Sequence, residues 1–162
     1  MSQPTLRIGT RDSKLALWQA QEVCTRLENL GQKCVLVPVK SPGDLDLQTP
    51  LHQFGTTGIF TKILDVALEE NRIDIAVHSL KDYPTQIPQG LALPAVLERG
   101  AYRDVLVPKT NGDFLENLEG EALIATGSIR RIAQWKNRYP KHQSTNLRGN
   151  VQTRLRKLEE NN

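Results

Sequence analysis

Aromatic side chains make up only 5% of the 162 residues, and the chain has two cysteines, one methionine and two tryptophans. Cys24 and Cys34 have neither metal-ligand nor redox-motif spacing, so no metal is expected and both are read as reduced structural thiols. No apolar run approaches the roughly 20 residues that span a bilayer. The opening MSQPTLRIGT offers neither the basic nor the apolar region of a secretory signal. A cytoplasmic protein without a membrane partner is therefore expected. A Walker loop, a GxGxxG turn and a nucleophile elbow are also missing. The most informative scarcity is of acid. Residues 122–158 carry nine basic side chains and no acidic one, whereas residues 1–121 carry twelve basic and sixteen acidic. Such segregation suits a polyanionic ligand at the C-terminal part, with a solvated basic face as the alternative. The aromatics that would make this block a single-strand nucleic-acid platform are absent, so no nucleic acid is expected.

What is there reads as α/β. Leu6 to Gly9 is a short apolar strand. Ala16, Ala20, Val23, Leu27 and Leu30 then recur at helical spacing, with Ser13 or Asp12 placed to cap the helix and Gly31 to end it. CVLVPV follows as a strand, which makes a βαβ unit and predicts a parallel pairing. After a long polar connection, a helix is predicted over 59–70 and a buried strand over IDIAVHSL. LALPAVLE and YRDVLVP read as further strands. LIATGS and STNLRG are strands that each lead into a helix, the first closed by Pro140 and the second carrying Val151, Leu155 and Leu158 on one face. A boundary between two lobes is expected at residues 98–104.

Four strand ends are unusually polar. Arg11 and Ser13 sit where a strand meets a helix N-terminus, whose free N–H groups and dipole attract anions; simple capping by Ser13 with a solvated Arg11 is the alternative. Ser79, Lys81 and Asp82 follow a buried strand, at the carboxyl end where open α/β sheets bind ligands. A carboxylate there can orient a substrate or stabilise a cation; the alternative is a local Lys–Asp pair, worth under about 1 kcal/mol when exposed. His78 is read as a structural histidine with its hydrogen bonds satisfied. Thr126 and Ser128 open the third helix, with Arg130 and Arg131 in its first turn. Cations there oppose the helix dipole and are disfavoured unless an anion lies between them. Arg148 and Arg154 flank Gly149 in an equivalent strand–turn–helix unit. Together these arginines imply a clamp for carboxylate or phosphate groups, which suits arginine better than lysine.

These sites, in this order, resemble porphobilinogen deaminase (hydroxymethylbilane synthase). The stretches that carry the resemblance are LRIGTRDSKLALWQA, PGD, GIFTK, ENRIDIAVHSLKDYPT, RDVLV, TGSIRR and LRGNVQTRLRKL. The resemblance implies periplasmic-binding-protein-like lobes with mixed sheets flanked by helices, lobe 1 over 1–98 and part of lobe 2 over 99–162. It also implies a transferase that condenses four porphobilinogen molecules into hydroxymethylbilane, releasing ammonia, on a covalently held dipyrromethane cofactor. The ligands are then porphobilinogen and polypyrrole carboxylates, and the family is typically monomeric. Asp82 matches the catalytic aspartate. Arg11, Ser13, Ser79, Lys81, Thr126, Ser128, Arg130, Arg131, Arg148 and Arg154 match substrate- or cofactor-binding positions. Lys62 belongs to the mobile loop.

Three positions depart from that pattern. Gln53 and Thr57 stand where many relatives have lysine, and Ile63 where glutamate is usual. They leave a non-catalytic anion- or tetrapyrrole-binding paralogue as the alternative function. Family enzymes run to about twice this length, so lobe 2 is expected to be incomplete and the third domain absent. That domain bears the cofactor cysteine, whose context neither Cys24 nor Cys34 matches. The chain by itself is accordingly expected not to attach dipyrromethane. Mass spectrometry after incubation with porphobilinogen should show the unmodified mass, and a covalent dipyrrole adduct would refute the expectation.

Overall fold

The computed structural model describes residues 4–40, 61–109, 112–116 and 120–160. Those up to Val96 form one compact unit and those from Leu97 onward another. Both are α/β, and every strand pairing among the described residues is parallel.

The first unit is organised by β1 (Leu6–Arg11), which lies between β2 (Cys34–Val39) and β3 (Ile75–Ala76) in the order β2-β1-β3. The register runs from Leu6↔Cys34 to Arg11↔Val39 on one side, with Ile8↔Ile75 on the other. β1 is paired on both edges, and its residues Ile8, Gly9 and Thr10 are buried. The connection from β1 to β2 is α1 (Lys14–Asn29), so the expected βαβ unit is present. Ser13 is its cap: Ala16 N–H donates to Ser13 Oγ at 3.3 Å. Gly31, with φ +86°, ends it, and Gln32 N–H returns to Leu27 O at 3.0 Å. Leu30 departs from the expected stripe. The helix has already stopped at Asn29, so Leu30 lies 83% exposed. Cys24, which the apolar pattern did not include, is buried with Ala20 instead.

The second helix, α2, is Lys62–Glu69; residues 59 and 60 of the predicted helix lie outside the described residues, as do Gln53 and Thr57. Leu64 and Ala67 join Ile73 in the core cluster, and Ile63 packs against it with Val37 and Val39. Ile63 thus gains apolar packing that a glutamate would not supply. Asn71 takes a positive φ of 53° and Arg72 N–H returns to Ala67 O at 2.9 Å, which closes α2 as glycine closes α1. The chain then crosses directly beneath Gly9, where an added Cβ would meet the Ile73 side chain. Arg7 fixes this crossing from the other end of β1. Its Nη2 and Nε donate to Asp74 at 2.7 and 3.0 Å, and its Nη1 to Asn71 O at 2.6 Å. The guanidinium lowers the Asp74 carboxyl to about 2. The strand predicted over 73–80 is only two residues long. Val77 N–H still bonds Gly9 O at 2.9 Å, after which the backbone turns into a single 3₁₀ turn, Leu80–Asp82.

In the second unit, β4 (Leu123–Ala125) pairs with β5 (Gln143–Thr145), register Leu123↔Gln143. Between them runs α3 (Ile129–Arg138), and after β5 comes α4 (Val151–Glu160). The loop after α3 is held by stacked rings: Trp135 on Tyr139 at 4.8 Å and Tyr139 on His142 at 4.7 Å. Asn150 caps α4, accepting from Thr153 N–H at 2.9 Å. Leu158 is half-buried, whereas Val151 and Leu155 of the same predicted face are exposed. The strands predicted over 91–98 and 102–108 do not form. No described strand pairs with either stretch, and Val96 and Val105 are exposed. β-branched content favours a strand only where a ladder partner and a covering face exist.

Gly9→Ala should destabilise the first unit by about 1–3 kcal/mol, because the new methyl forces Ile73 to move. Urea denaturation of the two proteins checks this; an unchanged midpoint would show that the crossing is not tight.

Candidate functional site

The site residues fall into two groups, one in each unit. In the first, β1 delivers Arg11 to the carboxyl end of the sheet, beside the start of α1. The chain leaving β3 brings Val77, His78, Ser79 and Asp82 to the same end. A small cleft is lined there by Arg11, Gln19, His78, Ser79 and Asp82, among others. Gln19 was not singled out by sequence; it lies one turn into α1, and Ser79 Oγ donates to its Oε1 at 2.8 Å. Ser13 serves as the helix cap and is not among the cleft's lining residues. Lys81 and Lys62 are exposed and do not line it either. Asp82 is held by the 3₁₀ turn, its N–H donating to Ser79 O at 2.9 Å. The structure therefore brings together Arg11, Ser79 and Asp82, and leaves Ser13, Lys62 and Lys81 outside the cleft.

His78 departs from the sequence reading. Its Nε2 is buried and has no hydrogen-bond partner among the described residues, so the reading of a satisfied histidine is not met there. Burial disfavours its charged form and the Arg11 cation adds to this, lowering its pKa to about 4. The ring leans on Tyr83, centroids 5.3 Å apart. The cleft thus combines a guanidinium, a carboxylate, a hydroxyl and an imidazole kept neutral at pH 7.

In the second unit, Thr126, Gly127 and Ser128 link β4 to α3. Thr126 is buried; its N–H donates to Thr145 O at 2.9 Å and its Oγ1 accepts from Ser128 N–H at 3.2 Å. Ser128 caps α3, accepting from Arg131 N–H at 3.4 Å. A side chain at Gly127 would press on Leu147 O at 3.1 Å, so glycine there suits the close approach of the two strand ends. This approach brings the arginines together. Arg148, three residues past β5 rather than at its end, is only 4% exposed. Arg154 donates through Nε to Gly149 O at 2.8 Å. Burial lowers the Arg154 pKa, and the neighbouring cations Arg131 and Arg148 lower it further. Arg130 and Arg131 share one carboxylate that sequence reasoning assigned no role. Arg131 grips Asp104 in a two-point fork, Nε at 3.0 Å and Nη2 at 2.6 Å, and Arg130 Nη2 lies 3.7 Å from it. Even so, cations outnumber this carboxylate, and the cluster is suited to holding further anionic groups.

Both cysteines are free thiols, as their spacing suggests. Burial raises the Cys24 thiol to about 11, and neighbouring Cys34 adds to the shift. Among the described residues no group of three metal-ligating side chains occurs, and no helix is long and apolar enough to cross a membrane.

Residues 6–162 match the family described as porphobilinogen deaminase, dipyromethane cofactor binding domain. The porphobilinogen deaminase of Syntrophotalea carbinolica is 48% identical over 162 residues, 99% of this chain and 51% of that protein. That of Desulfitobacterium hafniense is 48% identical over 158 residues, 96% of this chain and 51% of its own length. The probable porphobilinogen deaminase of Methanocaldococcus jannaschii is 50% identical over 155 residues, again 96% of this chain and 52% of the relative. The chain spans about half the length of the curated relatives it matches.

The environment of His78 has a consequence for pH. In the unfolded chain this histidine takes up a proton near pH 6.5, whereas in the fold it does so near pH 4. Its contribution to stability is therefore full above pH 6.5 and is lost on acidification through pH 4. An NMR titration of the His78 ring should give a midpoint near 4, and a midpoint at 6 or above would contradict the burial argument.

Proposed function

The chain belongs to the porphobilinogen deaminase family, and from that membership we propose that it serves the condensation of four porphobilinogen molecules into hydroxymethylbilane, with release of ammonia. The observation that carries the reading is the pairing of two chemistries in one chain. One unit has a carboxylate beside a guanidinium in a cleft, and the other has a cluster of arginines. Porphobilinogen requires both, because each pyrrole carries an acetate and a propionate and because loss of ammonia leaves a cation.

In this reading Asp82 accepts a hydrogen bond from the pyrrole N–H. As the C–N bond breaks and its electron pair leaves with the ammonia, positive charge spreads onto the ring nitrogen. A fixed carboxylate at that N–H stabilises the charge where it develops. Arg11 holds a substrate carboxylate at the mouth of the same cleft, and Ser79, positioned by Gln19, supplies a further polar contact. Lys81 and Lys62 act from the exposed rim. Neutral His78 does not add a second cation beside Arg11. Arg130, Arg131, Arg148 and Arg154 bind acetate and propionate groups, with Thr126 and Ser128 holding the turn that presents them and Ser13 capping the helix behind Arg11. The lobes of the family correspond to residues 1–98 and 99–162.

The residues present fit a dipyrromethane. Burial lowers the Arg154 pKa and the nearby Arg131 and Arg148 cations lower it further, and an added polycarboxylate offsets that repulsion. Arg131, Arg148 and Arg154 would hold its carboxylates. When bound, the group supplies the pyrrole chain on which the product is built. Porphobilinogen and the growing polypyrrole are the ligands of this reading, in the cytoplasm.

Porphobilinogen titrated calorimetrically into the protein should bind, and Arg131→Leu should weaken binding by at least about tenfold, the worth of one charge-assisted contact. Asp82→Ala should lower turnover by a polypeptide carrying this sequence by about a hundredfold or more, well beyond its effect on that affinity. No binding by the unaltered protein, or near-normal turnover with Asp82→Ala, would sink the assignment.

A further inference from the structure

Two cations in the first turn of α3 oppose the helix dipole and need an anion between them. The structure supplies one from the chain itself. Asp104 presents both carboxylate oxygens to Arg131, at 2.6 and 3.0 Å, with Arg130 3.7 Å away. A planar guanidinium gripping a planar carboxylate by two parallel bonds is the same geometry with which arginine takes the carboxylate of a ligand. The pair is not sealed in: the Arg131 and Asp104 side chains are 41% and 46% exposed. Asp104 lies in the stretch 97–109, where no helix or strand is assigned and every residue is exposed. An exposed aspartate on such a stretch can be exchanged for another carboxylate at little cost, because surface ion pairs of this kind are weak.

We infer that Asp104 is a specificity-determining residue that fills the Arg131 fork as an internal stand-in for a ligand carboxylate, and that binding proceeds by exchange. The inference rests on the carboxylate-binding reading of this cluster. An incoming acetate or propionate group takes the fork, Asp104 swings out, and the number of ion pairs is conserved. Anions that cannot match the fork gain nothing over Asp104 and are turned away. Arg154 differs, since its Nε donates to the Gly149 carbonyl at 2.8 Å, whereas Arg131 is gripped by the carboxylate of an exposed side chain. Exchange is thus assigned to Arg131, assisted by Arg130.

Removing the internal competitor should strengthen anion binding. Asp104→Asn keeps the side chain's shape and loses its charge; Asp104→Ser removes the fork partner altogether. Both should bind porphobilinogen about two- to fivefold more tightly than the unaltered protein, the range set by a surface ion pair. Both should also bind inorganic phosphate more tightly at matched ionic strength. Asp104→Glu, which restores the charge, should bring affinity back toward the original value. Circular dichroism confirms that each variant is folded. In ¹⁵N spectra, the Arg131 Nε–H resonance should shift on ligand addition in the unaltered protein toward its position in ligand-bound Asp104→Asn. Equal or weaker binding of both probes by Asp104→Asn overturns the inference and makes Asp104 an orienting partner of Arg131. Tighter phosphate binding without any porphobilinogen binding supports the exchange and instead counts against the deaminase reading.

Discussion

The position of β1 between two parallel neighbours is the constraint on which the first unit depends. A central strand must be narrow where something crosses it, and Gly9 lets Ile73 lie directly against the backbone. That crossing joins α2 to β3 and sets the direction in which the chain leaves the sheet. Arg7 secures it at one end of the strand, through Asp74 and the Asn71 carbonyl. Arg11 emerges at the other end, into the cleft. One six-residue strand therefore carries a structural guanidinium and a candidate ligand-binding guanidinium. Their surroundings differ: Arg7 is locked onto Asp74 and the Asn71 carbonyl, whereas Arg11 lines a cleft shared with His78, Ser79 and Asp82.

The second unit is governed by charge more than by packing. Its two strands are three residues each, and much of α3 and α4 is exposed. What is tightly arranged is the polar turn between β4 and α3 and the loop around Arg148. There burial lowers the Arg154 pKa, and the like charges of Arg131 and Arg148 lower it further. Helix caps from Ser128 and Asn150 and the close approach at Gly127 hold an arrangement that electrostatics alone would disperse. Stored repulsion of this sort is usual where a binding site is prepared for an ion of opposite sign.

Much of this could be read from residue order, and the reasons differ by element. The βαβ start was plain because apolar spacing, a capping serine and a terminal glycine all agree over 6–39. The shortness of β3 was not, because an apolar run does not say where a ladder ends. The stretches 91–98 and 102–108 failed for a related reason: strand propensity is local, whereas pairing depends on partners elsewhere in the chain. Among site residues, Arg11, Ser79 and Asp82 meet as their places at strand ends suggested. Lys81 could not be separated from its neighbours, since a 3₁₀ turn decides which of three successive side chains lines the cleft. Gln19 and Asp104 were missed because a glutamine in a helix and an aspartate in an apolar stretch carry no local signal of their distant partners. The need for an anion at Arg130 and Arg131 was readable; that the chain would provide one was not.

The burial of Arg148 has a consequence for which residue could ever replace it. At 4% exposure a cation loses most of its hydration. A lysine begins from a pKa of about 10.4, and burial can lower it by several units. Neighbouring guanidiniums would lower it further. Arginine, with its charge spread over a planar guanidinium, gives up its proton far less readily than lysine. The buried member of the cluster thus keeps a positive charge where little water reaches it, and an Arg148→Lys exchange would make that charge easier to lose.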